Sequence, residues 1–74
     1  MEFELRVRNS LDSDLTLYLE PWGEQYSIRP GLSLTVHAKG PRADALEIEY
    51  RESTITIYGW SDSTLAIAGE TVSA

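Results

Sequence analysis

Hydrophobic and polar residues alternate along most of the chain. Apolar side chains take every second position in five segments, and polar or charged side chains take the positions between them. The apolar positions are Phe3-Leu5-Val7, Leu15-Leu17-Leu19, Leu32-Leu34-Val36, Leu46-Ile48-Tyr50 and Ile55-Ile57. A period of two is typical of β-strands with one buried face. The pattern therefore predicts an all-β fold.

Turn-forming residues separate these segments, at 9–13, 21–23, 30–31 and 39–41 and at Gly59 and Gly69. We predict seven short strands, over 2–8, 14–20, 24–29, 32–38, 45–51, 53–58 and 63–68. Residues 69–74 are expected to form a tail that frays. At this length the chain is expected to be a single domain, 1–74.

The strands that form hairpins can be predicted by placing apolar residues opposite apolar residues. Opposite residues of an antiparallel pair lie on the same face of the sheet. The matching predicts hairpins between strands 1 and 2, 2 and 3, 5 and 6, and 6 and 7. The corresponding pairs are Leu5 with Leu17, Leu19 with Tyr26, Ile48 with Ile55, and Ile57 with Leu65. Pro30-Gly31 favours a type II turn, whose twist suits a hairpin badly, so we expect a bulge or a bend between sheets there.

The longest connection, 37–45, is expected to carry the chain from one sheet to the other. Residues 1–38 would then form a four-stranded meander and residues 45–68 a three-stranded one. Packed face to face, the two meanders make a small antiparallel β-sandwich or flattened barrel of about seven strands.

Composition narrows the choice of partners. The 74 residues include twelve acidic and six basic ones, for a net charge of −6, and no cysteine. A core of this size contributes no more than about 3–5 kcal/mol of net stability. No disulfide can add to it, so stabilisation by self-association is favoured. An acidic surface argues against nucleic acid and against anionic membranes as partners.

A strand pattern follows Met1 directly, without a signal peptide or an apolar span, so we expect a complete cytoplasmic protein.

Catalytic constellations are missing from the sequence. His37 is the single histidine, and its polar-side position indicates a surface contact between strands. Gly-x-Ser-x-Gly and phosphate-binding glycine loops do not occur. Glu47 and Glu49 could act as an acid and base pair only inside a cleft, and pairing across an outer face with Arg6 and Arg8 is the simpler interpretation. We expect no enzyme and no cofactor, and a hydrolase is the least favoured function.

Oxygen ligands for calcium could come from Asp12, Asp14 and Asp62. Asp12-Ser13-Asp14 has the alternation that begins a calcium loop, but the glycine and glutamate that should follow are missing. Asp and Ser also stabilise tight turns by bonding their own backbone. Turn chemistry explains these residues, and no metal site is predicted.

Aromatic residues provide the best positive sign of a binding surface. Tyr18 and Tyr58 lie on the polar side of their strands, and Trp22 and Trp60 lie in turns. The hydroxyl residues on the same side of the strands are Thr16, Thr35, Thr54 and Thr56. Exposed aromatics beside hydroxyls can bind a sugar or a peptide, or form a contact between copies. Alternatively the tyrosines and threonines reflect strand composition only, and both interpretations of this face stay open. For each tryptophan we favour the interpretation that it covers an open end of the core.

The segment 17–31, LYLEPWGEQYSIRPG, resembles a signature of small bacterial proteins: Leu-Glu-Pro-Trp-Gly, followed by Tyr and then Pro-Gly. The resemblance covers about a fifth of the chain. It implies a bacterial source and an all-β domain, and it implies no activity, cofactor or partner. Pro21 and Gly23 also have a direct explanation as turn residues.

These observations together predict a non-catalytic module that binds itself or a protein partner. Residues 63–68, which include Leu65 and Ile67, carry no charge, so as a sheet edge they would be the favoured site of strand addition. The alternative is a small carbohydrate-binding or ligand-binding module that uses Tyr18, Tyr58, Trp22 and Trp60.

Overall fold

Seven strands form in the part of the chain that the computed structural model describes, residues 1–41 and 45–72, with 70–72 described by their backbone alone. The strands are β1 (Glu2–Arg8), β2 (Leu15–Glu20), β3 (Glu24–Ile28), β4 (Leu32–Lys39), β5 (Glu47–Arg51), β6 (Thr54–Tyr58) and β7 (Thr64–Val72). All seven predicted strands are present. The predicted tail is wrong in part, because β7 continues to Val72 and pairs with β4 there. Residues 73–74 lie outside the described residues.

Two separate sheets make up the fold, which confirms the sandwich and excludes the closed barrel. One sheet has the strand order β1-β4-β7 and the other the order β3-β2-β6-β5. The apolar side of each sheet faces inward, and the fully buried side chains of the core include Leu17, Leu19 and Ile57.

The predicted membership of the sheets is wrong. β1 pairs with β4 instead of β2, β7 pairs with β4 instead of β6, and β2 pairs with β6 in parallel. The connections 9–14 and 59–63 therefore cross between the sheets instead of closing hairpins. The connection after β4 also crosses, as predicted, since β4 and β5 lie in different sheets.

Two predicted hairpins exist with a register shifted by two residues. Leu17 lies opposite Tyr26, and Ile48 lies opposite Ile57. A shift of two keeps every side chain on its face, so the apolar pattern cannot distinguish the two registers. In the β2–β3 hairpin, Pro21 has no N–H to extend the ladder, and the pairing stops at Leu19.

Pro30 and Gly31 form a bend between sheets, which is one of the two alternatives expected there. The predicted meander, which kept strands 3 and 4 in one sheet, is therefore wrong at this point. The Leu32 N–H donates to the Arg29 carbonyl at 3.1 Å, and Gly31 has a φ of +82°. Proline followed by a glycine of positive φ is the arrangement of a type II turn. The turn directs β3 and β4 into different sheets.

Asn9 fixes the crossing from β1 to β2. Its side chain is fully buried, and its Nδ2 donates to the carbonyls of Ser13 and Ile28 at 2.8 and 2.7 Å. Its Oδ1 accepts from the Leu11 N–H at 2.8 Å. One asparagine side chain thus provides hydrogen-bond partners for two backbone groups of the loop and connects the loop to the end of β3.

Candidate functional site: the exposed edge strand β5

Strand β5 lies at the edge of the four-stranded sheet and is exposed at all five residues. Ile48 and Tyr50 lie opposite Ile57 and Ile55, on the side of the sheet that forms the core elsewhere. Ile48 is nevertheless 52% exposed and Tyr50 81% exposed. The alternation predicts that both residues point inward and are buried. They do lie on the inner side of the sheet, but the prediction of burial is wrong. The opposing sheet has one strand fewer, so it leaves the inner side of β5 uncovered.

A groove of about 260 Å³ opens beside the end of β5. Tyr50 and Ile55 line it from the four-stranded sheet, and Arg8 and Leu11 line it from β1 and the loop that follows. Leu11 is itself 42% exposed. The uncovered apolar surface therefore continues from the edge strand to the end of the sandwich.

The outer side of β5 carries charge. Glu47, Glu49 and Arg51 lie there, opposite Tyr58, Thr56 and Thr54 of β6. The Tyr58 hydroxyl donates to Glu49 Oε1 at 3.2 Å. The negative charge of Glu49 raises the pKa of Tyr58 above its usual value, with smaller contributions from partial burial, the hydrogen bond, Glu20 and Glu47.

The two tyrosines of the predicted aromatic surface share one face. β2 and β6 run side by side, with Tyr18 opposite Thr56 and Glu20 opposite Tyr58. Tyr18 and Tyr58 are therefore diagonal neighbours on the outer side of the four-stranded sheet. Of the predicted threonines, Thr16, Thr54 and Thr56 lie on this face, whereas Thr35 lies on β4 in the other sheet.

The two tryptophans have different environments. Trp60 is 9% exposed and stacks on Phe3 with ring centres 5.8 Å apart, so it covers an open end of the core as we favoured. It is therefore unavailable as an exposed binding residue. Trp22 is 41% exposed, and its ring lies against the backbone of Gly59. The expectation that Trp22 also covers the core is wrong.

Leu65 and Ile67 point inward. Leu65 is a core residue with 5% exposure, and Ile67 packs against the core. β7 is an edge strand, as the proposal of strand addition at 63–68 requires. Its apolar side chains Leu65 and Ile67, however, are packed in the core of the same chain and are not available to a partner. A register shift near Thr35 also interrupts its pairing with β4. Such irregularities discourage further strand pairing.

The calcium candidates lie in two different loops. Asp12 and Asp14 lie in the connection after β1, where Asp14 Oδ2 accepts from the Ser27 hydroxyl at 3.4 Å. Asp62 lies between β6 and β7 with a φ of +63°. Among the side chains that the structure describes, in residues 1–41 and 45–69, no three acidic or histidine groups cluster in a way that could hold a metal ion.

The remaining polar candidates form surface contacts. His37 Nε2 lies 2.9 Å from Glu2 Oε2 across β1 and β4, which is the inter-strand contact expected of it. Arg6 and Arg8 cannot form rungs with Glu47 and Glu49, because β1 and β5 belong to different sheets.

A wider depression of about 680 Å³ lies at the other end of β1. Glu2, Lys39 and Asp62 bring charges of both signs to it, and the Met1 amine donates to the Gly40 carbonyl at 2.7 Å. This mixture of charges selects no class of ligand.

The residues that sequence reasoning missed are Ile48 and Tyr50 as surface residues. A signal was present, because residues 47–51 (EIEYR) place a charge at every second position. Charged side chains are a common means by which edge strands prevent uncontrolled pairing. The same alternation is also typical of an ordinary strand with one wet face, so the sequence alone could not separate the two.

Comparison with protein-family models, with curated proteins and with solved structures found no match. The described residues include no helix with the length and apolarity needed to cross a membrane. Function is therefore inferred from the geometry of the chain itself.

Proposed function

We propose that this protein is a non-catalytic interaction module that binds an extended strand of another polypeptide along β5. The observation that supports it best is the exposure of the whole strand, with Ile48 and Tyr50 uncovered on the inner side. An edge strand offers unpaired N–H and C=O groups to an incoming strand. Apolar side chains beside that edge add the burial that makes such pairing favourable.

The charges of β5 give this edge selectivity. Glu47, Glu49 and Arg51 lie on its outer side. A strand with like charges at the facing positions would be repelled, and a strand with opposite charges would be favoured. The partner that fits β5 is therefore an extended segment that alternates apolar and charged residues, with a basic residue opposite at least one of the two glutamates.

Amide protection on β5 tests this proposal. We would add an extended peptide of sequence Lys-Val-Lys-Val-Lys-Val to ¹⁵N-labelled protein and follow hydrogen exchange at Ile48 and Tyr50. Strand addition should slow exchange at these two amides. The Ile48→Lys variant should lose the response, because it places an inward-pointing charge at the edge.

The matched control is Gln25→Lys, which makes the same change in net charge on β3, the other edge of this sheet. It should respond like the unaltered protein. If neither the peptide nor high protein concentration protects the β5 amides, the proposal is wrong.

A second candidate function, sugar binding, is favoured by the shared face of Tyr18 and Tyr58. Trp60 takes no part, so the surface is smaller than the sequence predicts. Exposed Trp22 provides a probe, since a sugar bound near it should change its emission while Trp60 stays constant. Mono- and disaccharide titrations of the unaltered protein and of Trp22→Phe would test this, and unchanged emission in both would count against it.

The third function that we considered, a hydrolase, has little geometric support. Glu47 and Glu49 lie on an exposed strand, opposite exposed or half-buried neighbours. An acid and base pair needs surroundings that shift the pKa values of its two members apart. We therefore keep the non-catalytic function.

A further inference from the structure

The β5–β6 hairpin determines which backbone groups of β5 face outward. Arg51 and Thr54 close a loop of two residues, Glu52 and Ser53. Residues that flank a two-residue loop exchange both of their main-chain hydrogen bonds, and the pattern alternates along the strand. The N–H and C=O of residues 47, 49 and 51 thus point to β6, and those of Ile48 and Tyr50 point to the free edge.

We propose that the strand that pairs with β5 is β5 of a second copy, antiparallel, around a two-fold axis at Glu49. This inference rests on the proposed function and names its partner. It joins two four-stranded sheets into one continuous sheet of eight strands. The two copies contribute the same surface, as a two-fold contact requires.

The register follows from hydrogen bonding. With Glu49 on the axis, Ile48 lies opposite Tyr50 of the second copy, and Tyr50 lies opposite its Ile48. Both positions have outward N–H and C=O groups, so each pair can exchange two main-chain hydrogen bonds. All five residues of the strand take part, and the apolar side chains of both copies meet on one face.

Charge complementarity favours this register over the one centred on Ile48. Glu47 lies opposite Arg51 of the second copy, and the symmetry repeats this pair. A register centred on Ile48 would instead place Glu47 against Glu49 twice, and like charges in facing positions are unfavourable. A register centred on Tyr50 would also pair Glu49 with Arg51, and it is disfavoured by geometry instead. It would place Ile48 opposite Glu52, which has a φ of +53° in the hairpin loop and lies outside the strand.

One like-charge pair remains, between Glu49 and its own counterpart on the axis. The Tyr58 hydroxyl draws the Glu49 carboxylate toward β6, on the side away from the second copy. The net charge of −6 on each chain also opposes association. At physiological salt, charges more than about 8 Å apart are largely screened. We expect a weak dimer that depends on concentration and is strengthened by Glu49→Gln.

Single cysteines test the register, since the chain has none of its own. Glu49→Cys places the two thiols opposite each other in a non-hydrogen-bonded pair, with Cα atoms about 4.5 Å apart, which suits a disulfide. In Ile48→Cys or Tyr50→Cys, each thiol lies two residues out of register with its counterpart. In a glutathione buffer, Glu49→Cys should form at least about tenfold more covalent dimer than either control.

A charge swap tests the pairing without any cysteine. Arg51→Glu should weaken association in sedimentation, and the double variant Glu47→Arg, Arg51→Glu should restore it, because the pair is then rebuilt between copies. Arg29→Glu is the matched control, with the same change in net charge on the exposed β3–β4 turn. It should associate like the unaltered protein.

The outcomes separate this inference from the proposed function. Equal cross-linking at positions 48, 49 and 50, or a swap that fails to restore association, would show that the two-fold register is wrong. A monomer up to about 1 mM whose β5 amides are still protected by the basic peptide would refute the dimer and leave the proposed function intact. A monomer without that protection would refute both.

Discussion

Asn9 illustrates how much one polar residue contributes to this small domain. It has no exposure, and its three side-chain hydrogen bonds connect the loop after β1 with the end of β3. Its own N–H also donates to the Leu32 carbonyl at 2.9 Å. A buried polar group that loses its partners costs more free energy than the hydrogen bond itself contributed.

We therefore predict that Asn9→Ala lowers the free energy of unfolding by about 2–4 kcal/mol, because two carbonyls and one N–H lose their partner. Urea unfolding followed by circular dichroism measures this. Ser10→Ala, at an exposed neighbour in the same loop, should change stability by less than about 0.5 kcal/mol. Equal effects of the two substitutions would show that the Asn9 contacts contribute nothing.

Tyr58 shows how the charge of β5 acts on its neighbour. Glu49 raises the pKa of the phenol above 10.0, chiefly by its charge. The folded protein thus favours the neutral tyrosine. The stabilising contact is complete below the pKa of an unfolded tyrosine and is lost as the pH rises through the higher folded value.

Glu49→Gln should lower the pKa of Tyr58, since the amide keeps the shape of the side chain and removes its charge. Absorbance at 295 nm as a function of pH, or NMR of the ring, would record the change. Glu4→Gln, on β1 in the other sheet, makes the same change in net charge and should leave the pKa of Tyr58 where it is. An unchanged pKa in Glu49→Gln would contradict the assignment to Glu49.

At the scale of elements, the β5–β6 hairpin places two isoleucines opposite each other in very different surroundings. Ile57 is fully buried and Ile48 is 52% exposed, although they form one cross-strand pair. Alternation identifies both as inward residues, and it cannot report whether an opposing sheet covers them. That information comes from the number of strands in each sheet.

Ile57→Val should lower the free energy of unfolding by about 0.5–1.5 kcal/mol, because it removes a buried methylene. Ile48→Val removes the same group from an exposed position and should cost less than about 0.5 kcal/mol. Urea unfolding of dilute protein compares them. If the two variants lost equal stability, β5 would be covered in solution even at low concentration.

Strand positions could be predicted well, since each strand has its own period-two pattern and its own flanking turn residues. Registers could be predicted only to within two residues, as Leu17 and Ile48 show, because that shift preserves the faces. The exposure of the edge strand β5 could not be predicted from the sequence either. Its residues have the pattern of any half-buried strand, and exposure depends on its neighbours in space.

At the scale of the whole molecule, Trp60 joins the two sheets. It lies in the connection from β6 to β7 and stacks on Phe3 of β1 with an angle of 8° between the rings. Gly40, just after β4, lies against the indole, and a Cβ at that position would come within 2.8 Å of the ring. The absence of a side chain at Gly40 allows the core to close at this end.

Gly40→Ala should therefore destabilise the protein by about 1–3 kcal/mol and shift the Trp60 emission, because the ring must move to admit the methyl group. Gly69→Ala is a control, since a Cβ there would meet nothing within 4 Å. Urea unfolding and fluorescence in a Trp22→Phe background would measure both. An unshifted emission in Gly40→Ala would show that the close contact is absent in solution.

The sequence by itself determined the all-β class, the seven strands, the turn at Pro30-Gly31 and the crossing after β4. These features depend on local chemistry: side-chain alternation, the fixed φ of proline and the freedom of glycine to adopt positive φ.

Only the tertiary structure decided which strands share a sheet, which tryptophan is buried and which apolar residues remain uncovered. Leu5 could lie opposite Leu17, as the alternation predicts, or opposite Val36, as in the structure. Both pairings place apolar residues on the same face, so the alternation cannot distinguish them. In the folded chain Asn9 and Trp60 are buried at the two crossings, and their contacts with Ile28 and Phe3 join residues far apart in the sequence. The exposure of Ile48 and Tyr50 then follows from placing four strands against three.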